Sequence, residues 1–260
     1  LKSNLKKGLA KYLECLLRLE EIERFNDTIT KFKQKDDLNL HIAPLSTYAA
    51  HEFNQHDLYG FCDNPLDFIF FSNIEKVYPD VNKFCSRLIN ECDKSKQNWE
   101  VKRSTTVKGY QSSGNIFELQ DNKYLCRLKN HLLSEIKTYQ NNFTDYSQNF
   151  IKKWPKKSDL TGWYVRLVQG GHQDSHIHPN GWLSGVVYLK TIESPVNGEG
   201  SISFSTVGHD LPSKNEKEAT KMYQPRDGDI VLFPSTLFHK TIPVEQKVDR
   251  CVIAFDLIPR

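Results

Sequence analysis

Gly170-Gly171-His172-Gln173-Asp174-Ser175-His176-Ile177-His178-Pro179 is the stretch on which the reading of this chain turns. Side chains two apart on a strand point to the same face, so His176 and His178 can look together into the mouth of a rolled sheet. Pro179 has no N–H for a ladder and favours a turn, which places the pair at a strand end, where a metal could keep open positions. Downstream, Leu183–Leu189 and Asp229–Phe233 read as buried strands, and His239 follows the second, opposite the pair. Arg250 opens a last apolar strand, Arg250-Cys251-Val252-Ile253-Ala254-Phe255. Imidazole nitrogens suit Fe, Zn, Cu or Ni, and a buried guanidinium suits a carboxylate. His176, His178 and His239 are therefore candidate metal ligands and Arg250 a candidate anion clamp. Tyr188 is placed to give the same carboxylate a hydroxyl donor.

Around this stretch the texture is β. Gly162–Val168, Leu183–Leu189, Gly200–Phe204, Asp229–Phe233, His239–Ile242 and Arg250–Leu257 are short segments parted by Gly, Pro and Asn, with Asn197-Gly198 and Asp227-Gly228 as turn signals. Such spacing predicts a barrel or jelly roll. Trp99–Arg103 and Thr105–Val107 alternate as further strands, and Tyr124–Tyr139 forms an amphipathic helix. Lys152-Lys153-Trp154-Pro155-Lys156-Lys157 reads as a polar linker.

The first third is helical in pattern: Leu5, Leu9, Tyr12, Leu13, Leu16, Leu17, Leu19 and Ile22 recur near a 3.6 period. Pro44–Phe53 is a second helix and Pro79–Cys92 a third, with Pro79 in its first turn. The expected architecture is α+β: a helical region over residues 1–95 and a β domain over 96–260.

At 260 residues the chain can bury a sizeable core. A net charge of +3, without a dense Lys/Arg run among aromatics, argues against a nucleic-acid partner. Absence of any apolar run near the roughly 20 residues of a spanning helix argues against a membrane. Leu1 to Lys11 is basic and helix-like, without the apolar stretch of a signal peptide. Six cysteines (Cys15, Cys62, Cys85, Cys92, Cys126, Cys251) form no CxxC pair, which fits free thiols in a reducing, cytoplasmic setting and speaks against structural zinc.

Together, Gly-Gly-x-x-x-x-His-x-His-Pro, Leu183–Leu189, Asp227–Pro234, His239 and Arg250 resemble the 2-oxoglutarate/Fe(II) oxygenases of bacteria and phages, in the prolyl-4-hydroxylase-like branch of the double-stranded β-helix superfamily. The resemblance covers about residues 100–260, with Thr105–Gln111 similar to the family's opening segment; members often follow tetratricopeptide-type helices. It implies a double-stranded β-helix (jelly-roll, cupin-like) core, Fe(II) and 2-oxoglutarate as cofactors, and hydroxylation of a peptide or small molecule. His176 would be the first iron ligand and His239 the distal one. Arg250 would pair with the distal carboxylate of 2-oxoglutarate, with Tyr188 assisting. The N-terminal helices would offer a surface for a protein partner.

Two points stay open. The superfamily uses His-x-Asp/Glu, whereas His178 stands where the carboxylate would sit, so it is either a ligand or a neighbour behind one. A literal His-x-Asp, His172-Gln173-Asp174, ranks second, because counting back from Leu183–Leu189 favours His176. A three-histidine iron dioxygenase without 2-oxoglutarate, and a non-catalytic β-helix that binds a ligand or partner, are the competing functions. Trp182 is equally a lid or sheet packing. His41, His51, His56, His131 and His209 have no partner at ligand spacing, and the loop Ser205–Tyr223, with His209 and Asp210, is either a substrate border or a disordered excursion.

Overall fold

The computed structural model describes residues 3–102, 104–119, 122–208, 211–213 and 219–260. His209 and Asp210 lie outside the described residues. Among the described residues, five helices are longer than one turn: α1 (Ser3–Arg18), α2 (Ile22–Lys33), α3 (Ala43–Glu52), α4 (Val81–Asp93) and α5 (Lys123–Asn142), followed by the single turn α6 (Asn149–Lys152). Caps fix several starts. Asp80 accepts from the Lys83 amide to open α4, one residue beyond Pro79, and Asn122 accepts from the Leu125 amide to open α5.

Ten strands follow in chain order: β1 (Phe70–Asn73), β2 (Gln97–Trp99), β3 (Thr106–Ser112), β4 (Ser158–Gln173), β5 (Leu183–Lys190), β6 (Ile202–Ser205), β7 (Thr220–Tyr223), β8 (Asp229–Pro234), β9 (Phe238–Thr241) and β10 (Arg250–Pro259). They make a seven-stranded antiparallel sheet in the order β1-β8-β5-β10-β4-β3-β2, and a three-stranded one, β7-β6-β9. This is the expected α+β, double-stranded β-helix architecture.

Strand periodicity divides the core into two layers. On β10, Cys251, Ile253, Phe255 and Leu257 face a cluster shared with the helices, while Val252 faces a second cluster with β6 residues. On β8, Ile230 and Leu232 take the helix side and Val231 and Phe233 the other; β5 splits Val187 and Leu189 from Val186 and Tyr188 in the same way. The large sheet is thus covered on both faces, which is why its strands read as nearly unbroken apolar runs. The helix-side cluster takes in Leu13 and Leu16 of α1, Phe25 and Ile29 of α2, Tyr48 of α3 and Leu88 of α4 together with Ile253 and Leu257. In addition, β1, from the N-terminal third, pairs with β8 and extends the sheet.

Several local expectations shift. Helix α2 was not marked by the sequence pattern; the chain reverses at Glu20, at a positive φ of 55°, and restarts at Ile22. The strand expected over 99–103 ends at Trp99, because Glu100 adopts φ 41° and turns the chain after a last amide bond to Gly109 O on β3 at 2.9 Å. Trp154 is no solvated linker residue: its ring lies 5.8 Å from Phe150 and 6.0 Å from Tyr139. Strands β1 and β7 were also unmarked. All six cysteines are free. Among the described residues, no helix is long and apolar enough to cross a membrane.

Candidate metal and diacid site

The three histidines converge between the two sheets. His176, just past the end of β4, exchanges two backbone hydrogen bonds with His239 on β9, His176 N to His239 O at 3.1 Å and His239 N to His176 O at 3.0 Å. His178 follows two residues on, its amide donating to Ser235 O at 2.9 Å. The ring centres are 4.3 Å (His176–His239), 5.0 Å (His176–His178) and 5.1 Å (His178–His239) apart. One ring nitrogen from each lies within 4.8 Å of the other two.

The free nitrogen is the same on every ring. Nδ1 of His176 meets Asp174 O at 2.6 Å, Nδ1 of His239 meets Leu237 O at 3.1 Å, and Nδ1 of His178 meets the Asp256 carboxylate at 2.8 and 2.9 Å. Carbonyl and carboxylate oxygens only accept, so each Nδ1 carries the proton and each Nε2 keeps its lone pair. Burial, and then the neighbouring His178, pushes the His176 pKa down to about 4; burial and the other two rings push His239 well below its usual value. Both imidazoles are therefore neutral at pH 7. With each Nδ1 engaged by an oxygen, the three Nε2 atoms are left as a donor set for a borderline divalent ion.

Arg250 and Tyr188 lie in the same pocket, whose wall also includes Trp163, Phe233 and Thr241. Arg250 begins β10 and is 2% exposed. Its Nε donates to Gly200 O at 2.9 Å, but its Nη1 has no protein partner, and neither has the Tyr188 hydroxyl. The guanidinium carbon lies 5.1 Å from the centre of the Tyr188 ring. Burial lowers the Arg250 pKa, yet a guanidinium stays charged at neutral pH. Burial also raises the Tyr188 pKa to about 12 against the opposing pull of Arg250, so the phenol keeps its proton. A buried cation and a buried hydroxyl, both unsatisfied, are costly unless a ligand completes them. A carboxylate would complete both, and this tests the fit of a diacid on the protein's own atoms.

His172 and Asp174 stand apart. The His172 Nδ1 meets Gly170 O at 3.2 Å and its Nε2 meets Asp174 at 3.4 Å, while Asp174 is exposed and neither residue lines the pocket. Trp182 is packing rather than a lid: it is 4% exposed, stacks on Phe150 and donates Nε1 to Phe150 O at 3.0 Å. Three residues of the site escaped the sequence reading, namely Asp256, Ser184 and Trp163, whose ring centre is 5.5 Å from that of His178. Counting in twos from Arg250 along β10 reaches Asp256, and counting back in twos from Tyr188 along β5 reaches Ser184; that signal was available.

Residues 161–256 match the family model described as "Putative 2OG-Fe(II) oxygenase". This segment, over a third of the chain, is thus similar to 2-oxoglutarate/Fe(II) oxygenases. Solved structures share the fold of this chain. A prolyl-4-hydroxylase from Pseudomonas putida is similar with a TM-score of 0.51 at 13% identity, over 84% of this chain and 100% of that one. A prolyl hydroxylase from Trichoplax adhaerens, solved with a peptide fragment of hypoxia inducible factor, gives 0.52 at 13% identity, over 82% and 89%. The α-ketoglutarate-dependent carbocyclase SnoK of nogalamycin biosynthesis gives 0.52 at 11%, over 76% and 84%. No curated protein matches the chain in sequence.

Proposed function

We propose that the oxygenase holds Fe(II) on Nε2 of His176, His178 and His239 and binds 2-oxoglutarate through Arg250 and Tyr188. The observation that carries this reading is the pairing, in one pocket, of three converging imidazoles with a buried guanidinium nitrogen and a hydroxyl that lack partners. Bound iron and 2-oxoglutarate would activate O2, one oxygen atom entering the substrate C–H bond as hydroxyl and the other entering succinate as 2-oxoglutarate loses CO2.

The chain's own residues do the positioning. Arg250 and Tyr188 take one carboxylate of the diacid and so set the distance of its other end from the histidines. The Gly200 carbonyl holds the Arg250 fork at Nε and leaves Nη1 for the ligand. Phe233, Val252 and Ile202 line the pocket between these groups and keep water from the diacid. The substrate is a peptide side chain or a small molecule approaching from the His176 side, where the wall is open enough to leave that ring only partly buried. Six free thiols fit a cytoplasmic setting.

The test is succinate release coupled to O2 uptake by Fe(II)-loaded protein with candidate substrates. Iron binding without 2-oxoglutarate affinity or succinate would favour the three-histidine dioxygenase instead. A protein that takes up neither iron nor 2-oxoglutarate would favour the non-catalytic binder.

A further inference from the structure

The three imidazoles differ in what stands behind them. His176 and His239 each give their Nδ1 proton to a neutral backbone carbonyl, whereas His178 gives its proton to both oxygens of the Asp256 carboxylate. No Asp or Glu lines the pocket itself among the described residues. Asp256 is 8% exposed, and Ser184, its neighbour across the β5–β10 ladder, donates to Oδ1 at 2.6 Å. The Ser235 hydroxyl lies 2.9 Å from that of Ser184. Space has been left for this carboxylate: a Cβ on Gly181 would stand 3.2 Å from Asp256 Cβ and Cγ and 2.8 Å from Ser235 Oγ.

We propose that Asp256 is a positioning residue that acts on the metal through His178, fixing its Nδ1 proton, aiming Nε2 and lending the site a negative charge one hydrogen bond and one imidazole ring away from the ion. This rests on the reading of His178 as a ligand. A carboxylate hydrogen-bonded to the far nitrogen of a ligating imidazole locks the tautomer and raises the basicity of the near one. The consequence is an asymmetric donor set. His178 is the strongest of the three donors, and an all-imidazole pocket keeps part of the charge balance that a directly bound carboxylate would give.

A merely structural tie between β10 and the His178 turn would make the same hydrogen bonds, so the test must separate charge from shape. Asp256→Asn keeps an acceptor for His178 Nδ1 and removes the charge. Ser184→Ala keeps the charge and removes one of its supports. Co(II) serves as the probe, with affinity read by titration and the ligand field by visible absorption of the full chain. Expected are a 10–100-fold loss of Co(II) affinity and shifted absorption bands in Asp256→Asn. Ser184→Ala, which loses a support but keeps the charge, should lose distinctly less affinity than Asp256→Asn, and Asp256→Asn added to His178→Ala should cost nothing further, since the route through His178 is already cut.

Wild-type affinity and spectrum in Asp256→Asn would overturn the proposal. So would an equal loss in Ser184→Ala, the same loss in the His178→Ala background, or an Asp256→Asn apoprotein that fails to fold. Failure of the ligand reading looks different: His178→Ala would then bind Co(II) as the wild type does.

Discussion

Arg250 and Tyr188 face each other in a buried pocket, guanidinium carbon 5.1 Å from the phenol ring, and each holds out a polar atom that no protein group meets. The pair is incomplete by design of the chain around it. Gly200 occupies the one side of the guanidinium that the protein satisfies, through its carbonyl, and a Cβ on Gly200 would come within 3.5 Å of Arg250 Cδ and 2.9 Å of Ile192.

If this pair binds a carboxylate, Arg250→Ala removes an ion pair with its hydrogen bond and Tyr188→Phe a single hydrogen bond to a charged group, the latter about 1.5 kcal/mol at the low end of the range for such bonds and the former up to about 3 kcal/mol. The KM for 2-oxoglutarate should rise on the order of 10–100-fold, nearer the top in the first and the bottom in the second, with Co(II) affinity unchanged in both. 2-Oxoglutarate should also raise the thermal midpoint of the wild type but not of Arg250→Ala. A parallel loss of metal in Arg250→Ala would show that the residue serves the histidines instead.

His176→Ala and His239→Ala should each abolish stoichiometric Co(II) binding, measured by titration and elemental analysis. Their backbones exchange two hydrogen bonds that the substitutions leave in place, so the variants should still fold.

The metal-free protein should lose stability as pH falls below the ordinary histidine range. The His176 pKa is depressed by burial to about 4 in the folded state and returns to about 6.5 when the chain unfolds. Between those values the unfolded chain binds more protons, so its contribution is complete above about 6.5 and is lost as pH drops towards about 4. Thermal midpoints of chelator-treated wild type and His176→Gln should therefore converge on acidification; a constant gap would contradict this.

His178→Asp shortens the donor and sets a second carboxylate beside Asp256. Like charges in a buried site oppose each other, so this variant should bind Co(II) weakly, and His178→Asp with Asp256→Asn should bind it more tightly than His178→Asp alone. Titration of the two proteins decides the order.

In the pocket wall, Gly185→Ala places a Cβ 2.3 Å from Phe255 Cζ and 2.8 Å from a Leu232 methyl. Overpacking of this kind costs about 1–3 kcal/mol. Chemical denaturation should show that loss, with partial recovery when Phe255→Leu is added.

The β-helix and its five candidate residues were legible because strand periodicity and the order His-x-His, His, Arg survive in one dimension. The long antiparallel strands around Val187, Val231 and Ile253 are apolar on both faces and short of Gly and Pro, so their ends alone shifted. Other features were hidden for stated reasons. Phe25 and Ile29 on α2 make too short an apolar stripe to stand out, and β7 is mostly exposed, with a pattern that resembles loop. Asp256 lies near the end of an apolar strand, where an acidic residue reads as surface until Arg250 fixes which side of β10 faces in. His178 could not be resolved between ligand and neighbour by spacing; the direction of its Nδ1 towards Asp256 is a three-dimensional fact.

The double hydrogen bond between His176 and His239 has a kinetic side. Because two segments distant in the chain are already clasped there, capture of an ion requires no ordering of loops. Uptake should then be limited by the shedding of bound solvent rather than by rearrangement of the protein. An ion with slow ligand exchange, such as Ni(II), should consequently load far more slowly than Co(II) into an equally finished cradle.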